Sequence, residues 1–295
     1  MQIRDWLRAA TAQLSESESP KRDAEILLQL VTGKSRAWLI GFDDSVLDAA
    51  ALEQLHALLT RRAAGEPIAY LTGEREFWSL SLNVTPDTLI PRPDSEVLVE
   101  QALAHLPDAA CSILDLGTGS GAIALALASE RPDCQISGID RIPAAVALAQ
   151  HNAARLGLAN ATFMPGNWFS ALKPQQFAVI VSNPPYIDAA DKHLSQGDVR
   201  FEPASALVAG DGGLADIKII AAQAGQYLAN GGWLLLEHGW QQGAQIRQIL
   251  SDNHYCRIET CQDYGGNDRV TFGQKPLIRN FKWPPGTFRR KIFIC

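Results

Sequence analysis

The segment Ile113-Leu114-Asp115-Leu116-Gly117-Thr118-Gly119-Ser120-Gly121 constrains this chain more than any other. It passes from an apolar strand-like run into a helical one through three glycines. Only residues without a Cβ let a backbone turn that tightly while a ligand approaches it. Twenty-three residues beyond Gly117, at the end of the next apolar run, Gly138-Ile139-Asp140 supplies a carboxylate suited to accept bonds from both hydroxyls of a ribose. The pair indicates a nucleoside-bearing cofactor. The loop alone is less specific, because Gly117, Gly119 and Ala122 also satisfy the relaxed dinucleotide pattern GxGxx(G/A). A Walker phosphate loop is excluded, since no Lys-Ser/Thr follows.

From about Asp94 onward, apolar runs alternate with helical patterns, as in a doubly wound α/β domain. Strands are predicted at 112–116, 135–139, 162–164, 178–182, 233–237, 257–260 and 269–272. The last two lack a long intervening helix, which implies an antiparallel pair closing the edge of a seven-stranded, Rossmann-like sheet. Residues 1–72 read as a small helical bundle, with apolar positions at three- and four-residue spacing in Trp6, Leu7, Ala10 and Leu14, in Ile26, Leu27, Leu30 and Val31, and in Leu52, Leu55, Leu58 and Leu59. Ser19-Pro20 is a helix start, and Gly33 and Gly65 are helix stops. Residues 73–93 form a link: a strand pair within 74–84, then Pro86, Pro91 and Pro93. The α/β domain occupies 94–274, and 275–295 is a basic extension expected to be loosely ordered.

At 295 residues and 46% apolar content the chain can bury two cores. No apolar run approaches the ~18 residues of a membrane span, and Arg4, Asp5 and Arg8 stand where a signal peptide would need its apolar stretch. A soluble cytoplasmic protein is expected. Five cysteines without a CxxC pair suggest neither a disulfide framework nor a zinc site. The formal charge of −6 conceals six basic and no acidic residues in 275–295, which leaves twenty basic against thirty-two acidic residues upstream. Such a surface repels phosphate backbones unless a basic patch intervenes, so stable nucleic-acid binding is not expected.

The predicted fourth strand ends in Asn183-Pro184-Pro185-Tyr186, and ligands of open α/β sheets bind at such strand ends. The Asn183 side-chain oxygen and the Pro184 carbonyl are two rigidly held acceptors, and Tyr186 can wall the planar group between them. The cluster suits an NH2 group. Asn167 and Trp168, after the third strand, could meet the edge and face of an adenine, although the indole taken alone also suits core packing. The six histidines show no paired metal spacing, and Asp188, Asp191 and His193 read as an exposed loop, so no metal is expected.

The combination of GxGxG, a second-strand acid and NPPY resembles the class I S-adenosylmethionine methyltransferases that modify planar amino or amide nitrogens. With Ile90-Pro91-Arg92-Pro93-Asp94-Ser95-Glu96 and Arg200-Phe201-Glu202-Pro203 added, residues 1–274 resemble the HemK/PrmC family, the protein-(glutamine-N5) methyltransferases of peptide chain release factors. The resemblance implies S-adenosylmethionine as cofactor, with its methionine part at Gly117, Thr118, Gly119, Ser120 and Gly121, its ribose at Asp140 and its adenine near Asn167 and Trp168. It implies that Asn183, Pro184, Pro185 and Tyr186 hold the glutamine of a Gly-Gly-Gln loop, with Arg92 as a further substrate contact. The N-terminal helices become a docking surface for class I release factors, and the enzyme an expected monomer. Many relatives carry aspartate where this chain has Asn167, which can still accept from the adenine amino group but carries no charge. The alternative acceptor is the exocyclic amine of a flipped adenine in DNA or RNA.

Overall fold

The structure, a computed structural model, describes residues 1–279 and 292–294. The chain forms two compact units, one of residues 1–74 with 192–201 and one of 75–191 with 202 onward.

The first unit is helical: α1 (Ile3–Gln13), α2 (Pro20–Thr32), α3 (Arg36–Gly41), α4 (Ala49–Ala63) and the short α5 (Ile68–Thr72). Each start has a local cause. Pro20 opens α2, the Ser35 hydroxyl accepts from Trp38 N at the head of α3, and Asp48 accepts from Ala51 N at the head of α4. Ser19 precedes α2 as expected, but its side chain makes no cap bond. Gly33 ends α2 in the left-handed region, whereas Gly65 lies two residues past the end of α4. The apolar stripes meet in a core that includes Ile3, Trp6, Leu27, Leu28 and Leu55. Residues 192–201 join this unit through Asp198, which accepts from Arg62 Nη1 at 3.1 Å, and Arg200, which donates to the Ala64 carbonyl at 2.8 Å.

The second unit begins with a hairpin, β1 (Glu74–Phe77) and β2 (Leu80–Asn83), then α6 (Glu96–Ala104). There follow β3 (Ser112–Leu116), α7 (Ala122–Glu130), β4 (Gln135–Asp140), α8 (Pro143–Leu156), β5 (Ala161–Pro165) and β6 (Phe177–Ser182). Two single-turn helices, α9 (Ala204–Leu207) and α10 (Gly210–Gly213), lead into α11 (Ala215–Tyr227), β7 (Leu228–Glu237), α12 (Gly243–Asp252), β8 (Cys256–Gln262) and β9 (Asp268–Gln274). The sheet order is β5-β4-β3-β6-β7-β9-β8, parallel through β7 and antiparallel beyond it. All seven predicted strands are present, and the last two close the edge as expected. Residues of β3 alternate between two cores: Ile113 packs with α6, α7 and α8 on one face, Leu114 and Leu116 with α11 and α12 on the other. A sheet covered on both faces accounts for the near-continuous apolar runs of its central strands.

Beyond the sheet, β10 (Leu277–Arg279) pairs antiparallel with β11 (Ile292–Ile294). The expectation of loose order over 275–295 therefore meets a paired backbone at its described ends, and its centre, with Arg289, Arg290 and Lys291, lies outside the described residues. Among the described residues no helix is long and apolar enough to cross a membrane.

One buried side chain ties the hairpin to the glycine loop. Asn152 of α8 accepts from Asn83 N at 2.8 Å and donates to the Asn83 and Ser120 carbonyls at 3.0 and 2.9 Å. It is fully buried, so Asn152→Ala leaves three backbone groups without their partner, each such loss costing ~1–3 kcal/mol. Urea unfolding is expected to show a stability loss of about 3 kcal/mol or more; a loss below about 0.5 kcal/mol would contradict this role.

Candidate active site

The strand order reverses between β3 and β6, and the ends of those two strands lie side by side. Leu116 pairs with Ser182 in the parallel register, and the Ser182 hydroxyl donates to the Leu116 carbonyl at 2.7 Å. The residues that follow, Gly117 and Asn183, therefore leave the sheet together. A crevice at such a switch point is where doubly wound sheets bind ligands.

The glycine loop is held from below. Gly117 N and Thr118 N both donate to the Ile139 carbonyl, at 2.8 and 3.0 Å. Gly117 has φ +72°, and a Cβ there would lie 3.5 Å from the Trp168 ring and 3.9 Å from the Asn183 carbonyl. Its bare face thus forms part of the wall between indole and acceptor motif. Gly121 stands apart from the cleft: at the head of α7, with φ +85°, its α-carbon packs toward Ala149, Leu125 and Phe163.

A cleft opens above this loop at the ends of β3 and β6. Gly117, Thr118, Gly119, Ser120, Asp140, Asn167, Trp168, Asn183, Pro185 and Arg92 all line it. Pro184 is buried and Tyr186 half-buried; neither lines the cleft, and the Tyr186 hydroxyl donates to Glu237 Oε1 at 3.4 Å. Asp140 holds its place through two backbone amides: Oδ2 accepts from Gly119 N and Oδ1 from Ile142 N, both at 2.9 Å. Each oxygen keeps a lone pair for a further donor. Trp168 serves both readings of its indole, lining the cleft while packing against the α11–α12 side of the sheet. Its φ of +50° is unusual for a bulky side chain. Arg92 is engaged within the unit, since its Nη2 donates to both oxygens of the buried Glu202 carboxylate at 2.8 Å.

Several buried polar groups near these residues do not stand out in the sequence. Asp115 is fully buried, two residues before Gly117. Thr118 Oγ1 donates to its Oδ2 at 2.7 Å, while Oδ1 has no hydrogen-bond partner. Burial pushes this carboxyl up to about 7. Ser95 receives Asn183 Nδ2 at 3.3 Å, and Glu237 closes β7 beside Tyr186. The signal for the two acids was present: each interrupts or ends a run of apolar strand residues, SILDL and WLLLE, where a charge has to be used to be tolerated.

These residues fit a nucleoside sulfonium cofactor. The carboxylate at Asp140 suits a diol, and the half-buried indole of Trp168 suits a flat base. A doubly wound sheet with this strand order, a glycine loop and an NPPY strand end defines a class I S-adenosylmethionine-dependent methyltransferase. The comparisons agree. A methyltransferase domain model matches residues 107–277, and one for the PrmC N-terminal domain matches 5–73. The fold is shared with a methyltransferase from Pyrococcus furiosus at TM-score 0.52 and 17% identity, over 76% of this chain and 98% of that one. The release factor glutamine methyltransferase of Escherichia coli (strain K12) is 61% identical over 274 residues, and that of Salmonella typhimurium (strain LT2) 60%, each alignment covering 93% of this chain and 99% of the relative. The chain belongs to the release factor glutamine methyltransferase family.

Asp115 gives the folded protein a definite pH response. An unfolded aspartate loses its proton near 4, whereas this one keeps it to about 7, so its contribution to stability is present at low pH and is lost as pH rises through that window. Asp115→Asn should flatten the fall in unfolding free energy between about pH 4 and 7; equal slopes for variant and wild type would refute the burial argument.

Proposed function

We propose that this chain transfers the methyl group of S-adenosylmethionine to the side-chain amide nitrogen of the glutamine in the Gly-Gly-Gln loop of class I release factors. The observation that carries the assignment of the site is the adjacency of Gly117 and Asn183, which puts a cofactor loop and an amide-binding strand end against one cleft. The bound cofactor supplies an electrophilic methyl group. What the protein must supply follows from the acceptor's chemistry.

An amide nitrogen shares its lone pair with the carbonyl, a conjugation seen in peptides as a barrier of ~18–20 kcal/mol. Attack must surrender part of it. Two hydrogen bonds worth ~0.5–1.5 kcal/mol each cannot offset that loss. Alignment of nitrogen, methyl carbon and sulfur contributes more, ~7–11 kcal/mol. Asn183 Oδ1 and the Pro184 carbonyl therefore act chiefly by orienting the nitrogen and by stabilising the positive charge that grows on its N–H groups. The amide proton becomes acidic only as the new bond forms, so no strong general base is needed. Asp140 holds the ribose, Trp168 and Asn167 border the adenine, and Arg92, already paired with Glu202, shapes the mouth rather than offering an unpaired charge.

The N-terminal helical unit is read as the docking element for the release factor, and the protein as a cytoplasmic monomer that makes no stable complex with nucleic acid. The acidic balance of residues 1–274 supports that reading over a DNA or RNA adenine as acceptor.

Mass spectrometry of a class I release factor incubated with the protein and S-adenosylmethionine should show one added methyl group on the glutamine, and duplex DNA should remain unmodified; the reverse would overturn the proposal. Asn183→Ala should abolish transfer while cofactor affinity stays within about threefold, and retention of full activity would remove its role. Asp140→Ala should weaken cofactor binding by about tenfold or more in calorimetry; unchanged affinity would count against the ribose contact.

A further inference from the structure

The turn between β7 and α12 carries a side chain that reaches back to the acceptor motif. Gln242 stands immediately ahead of α12 and is half-buried. Its Nε2 donates to the Tyr186 carbonyl at 3.0 Å and to the Gly212 carbonyl at 3.3 Å, and its Oε1 accepts from Gly239 N at 2.9 Å. All three partners are backbone groups. A backbone N–H can only donate and a carbonyl can only accept, so these partners also fix which way round the carboxamide stands.

The backbone of α10 is brought against the same carbonyl. Asp211 and Gly212 lie in the left-handed region at φ +58° and +64°, and Gly213 follows at +83°. Such a run is unusual for L-residues. A Cβ at Gly213 would collide with the Tyr186 oxygen and crowd Gln242 Nε2, so only glycine lets the two segments approach this closely.

The chain held by this contact has little freedom of its own. At one end the ladder fixes Ser182 on Leu116. At the other, the peptide joining Tyr186 to Ile187 is gripped on both edges: Ile187 N donates to the Leu207 carbonyl at 2.9 Å, and the Tyr186 carbonyl accepts from Gln242. Between the two ends, Pro184 and Pro185 have φ fixed by their rings. With few torsions left, the direction of the Pro184 carbonyl follows from where the ends are held.

We propose that Gln242 is a positioning residue for methyl transfer, gripping the Tyr186 peptide so that the Pro184 carbonyl faces the NH2 of the acceptor. The role rests on Asn183 and the Pro184 carbonyl holding the acceptor amide, as proposed above. Gln242 does not itself line the cleft. Its loss therefore reaches the acceptor side of the site and leaves the residues around the cofactor in place.

The test is steady-state kinetics on intact release factor, with cofactor affinity measured by calorimetry. Gln242→Met keeps the length of the side chain and removes all three bonds; kcat should fall about tenfold, with KM for the release factor and cofactor affinity within about threefold. Gln242→Glu keeps an acceptor for Gly239 N but turns a carboxylate on two carbonyl oxygens. It should be at least as slow as Gln242→Met, again with cofactor affinity retained. Wild-type kcat in Gln242→Glu would show that only the bond within the turn matters, and wild-type kcat in Gln242→Met that none of the bonds does; either result overturns the role of Gln242. Loss of cofactor affinity together with kcat in both variants would mark the side chain as merely structural and would also overturn it. If Asn183→Ala is inactive while Gln242→Met is fully active, this inference alone fails; if Asn183→Ala stays active, the reading of the site falls and this inference with it.

Discussion

The parallel register of β3 on β6 sets where every lining element of the cleft can stand. Because Leu116 pairs with Ser182, the first residue of the glycine loop and the first residue of the NPPY segment leave adjacent strands at the same level. A register slip would move one of them away from the cleft and turn apolar side chains to the wrong face. The Ser182 hydroxyl on the Leu116 carbonyl adds a buried side-chain bond to the ladder at that level. The glycine loop and the NPPY segment thus continue one pair of adjacent strands, and a single cleft takes its lining from both.

Around this pair the protein buries carboxyl groups that a structural core would avoid. Asp115 and Glu237 are both pushed up to about 7 by burial, and each has an oxygen without a partner. Glu202 is buried too, but pairs with Arg92. Each unpaired oxygen costs stability. Asp115 lies at the end of β3 and is bonded to Thr118 of the glycine loop. Glu237 ends β7 and meets the Tyr186 hydroxyl of the NPPY segment.

Most of the scaffold was legible in the residue pattern. The three glycines, the acid twenty-three residues on and the alternation of strand and helix locate the sheet, the loop and the cleft. That Asn183 and Trp168 border the cleft was legible because both follow strand ends, which is a local fact. The dependence of Asn183 on Ser95, and of Tyr186 on Glu237, was not legible, because it joins residues 88 and 51 positions apart through side-chain directions that periodicity does not encode. The joining of residues 192–201 to the helical unit was hidden for the same reason: Arg62 and Asp198 are 136 positions apart. Gly121, which shares its composition with Gly117 and Gly119, answers to packing against α8 and β5 instead of to the ligand cleft.

The proposed chemistry requires one cleft to grip a carboxamide beside a sulfonium donor. A crystal of the protein with S-adenosylhomocysteine and a Gly-Gly-Gln peptide tests it most directly. The glutamine NH2 should lie within about 3.2 Å of both Asn183 Oδ1 and the Pro184 carbonyl, with the cofactor sulfur in line behind it. A cofactor bound away from Gly117 and Asp140, or a glutamine side chain outside this pair of acceptors, would contradict it.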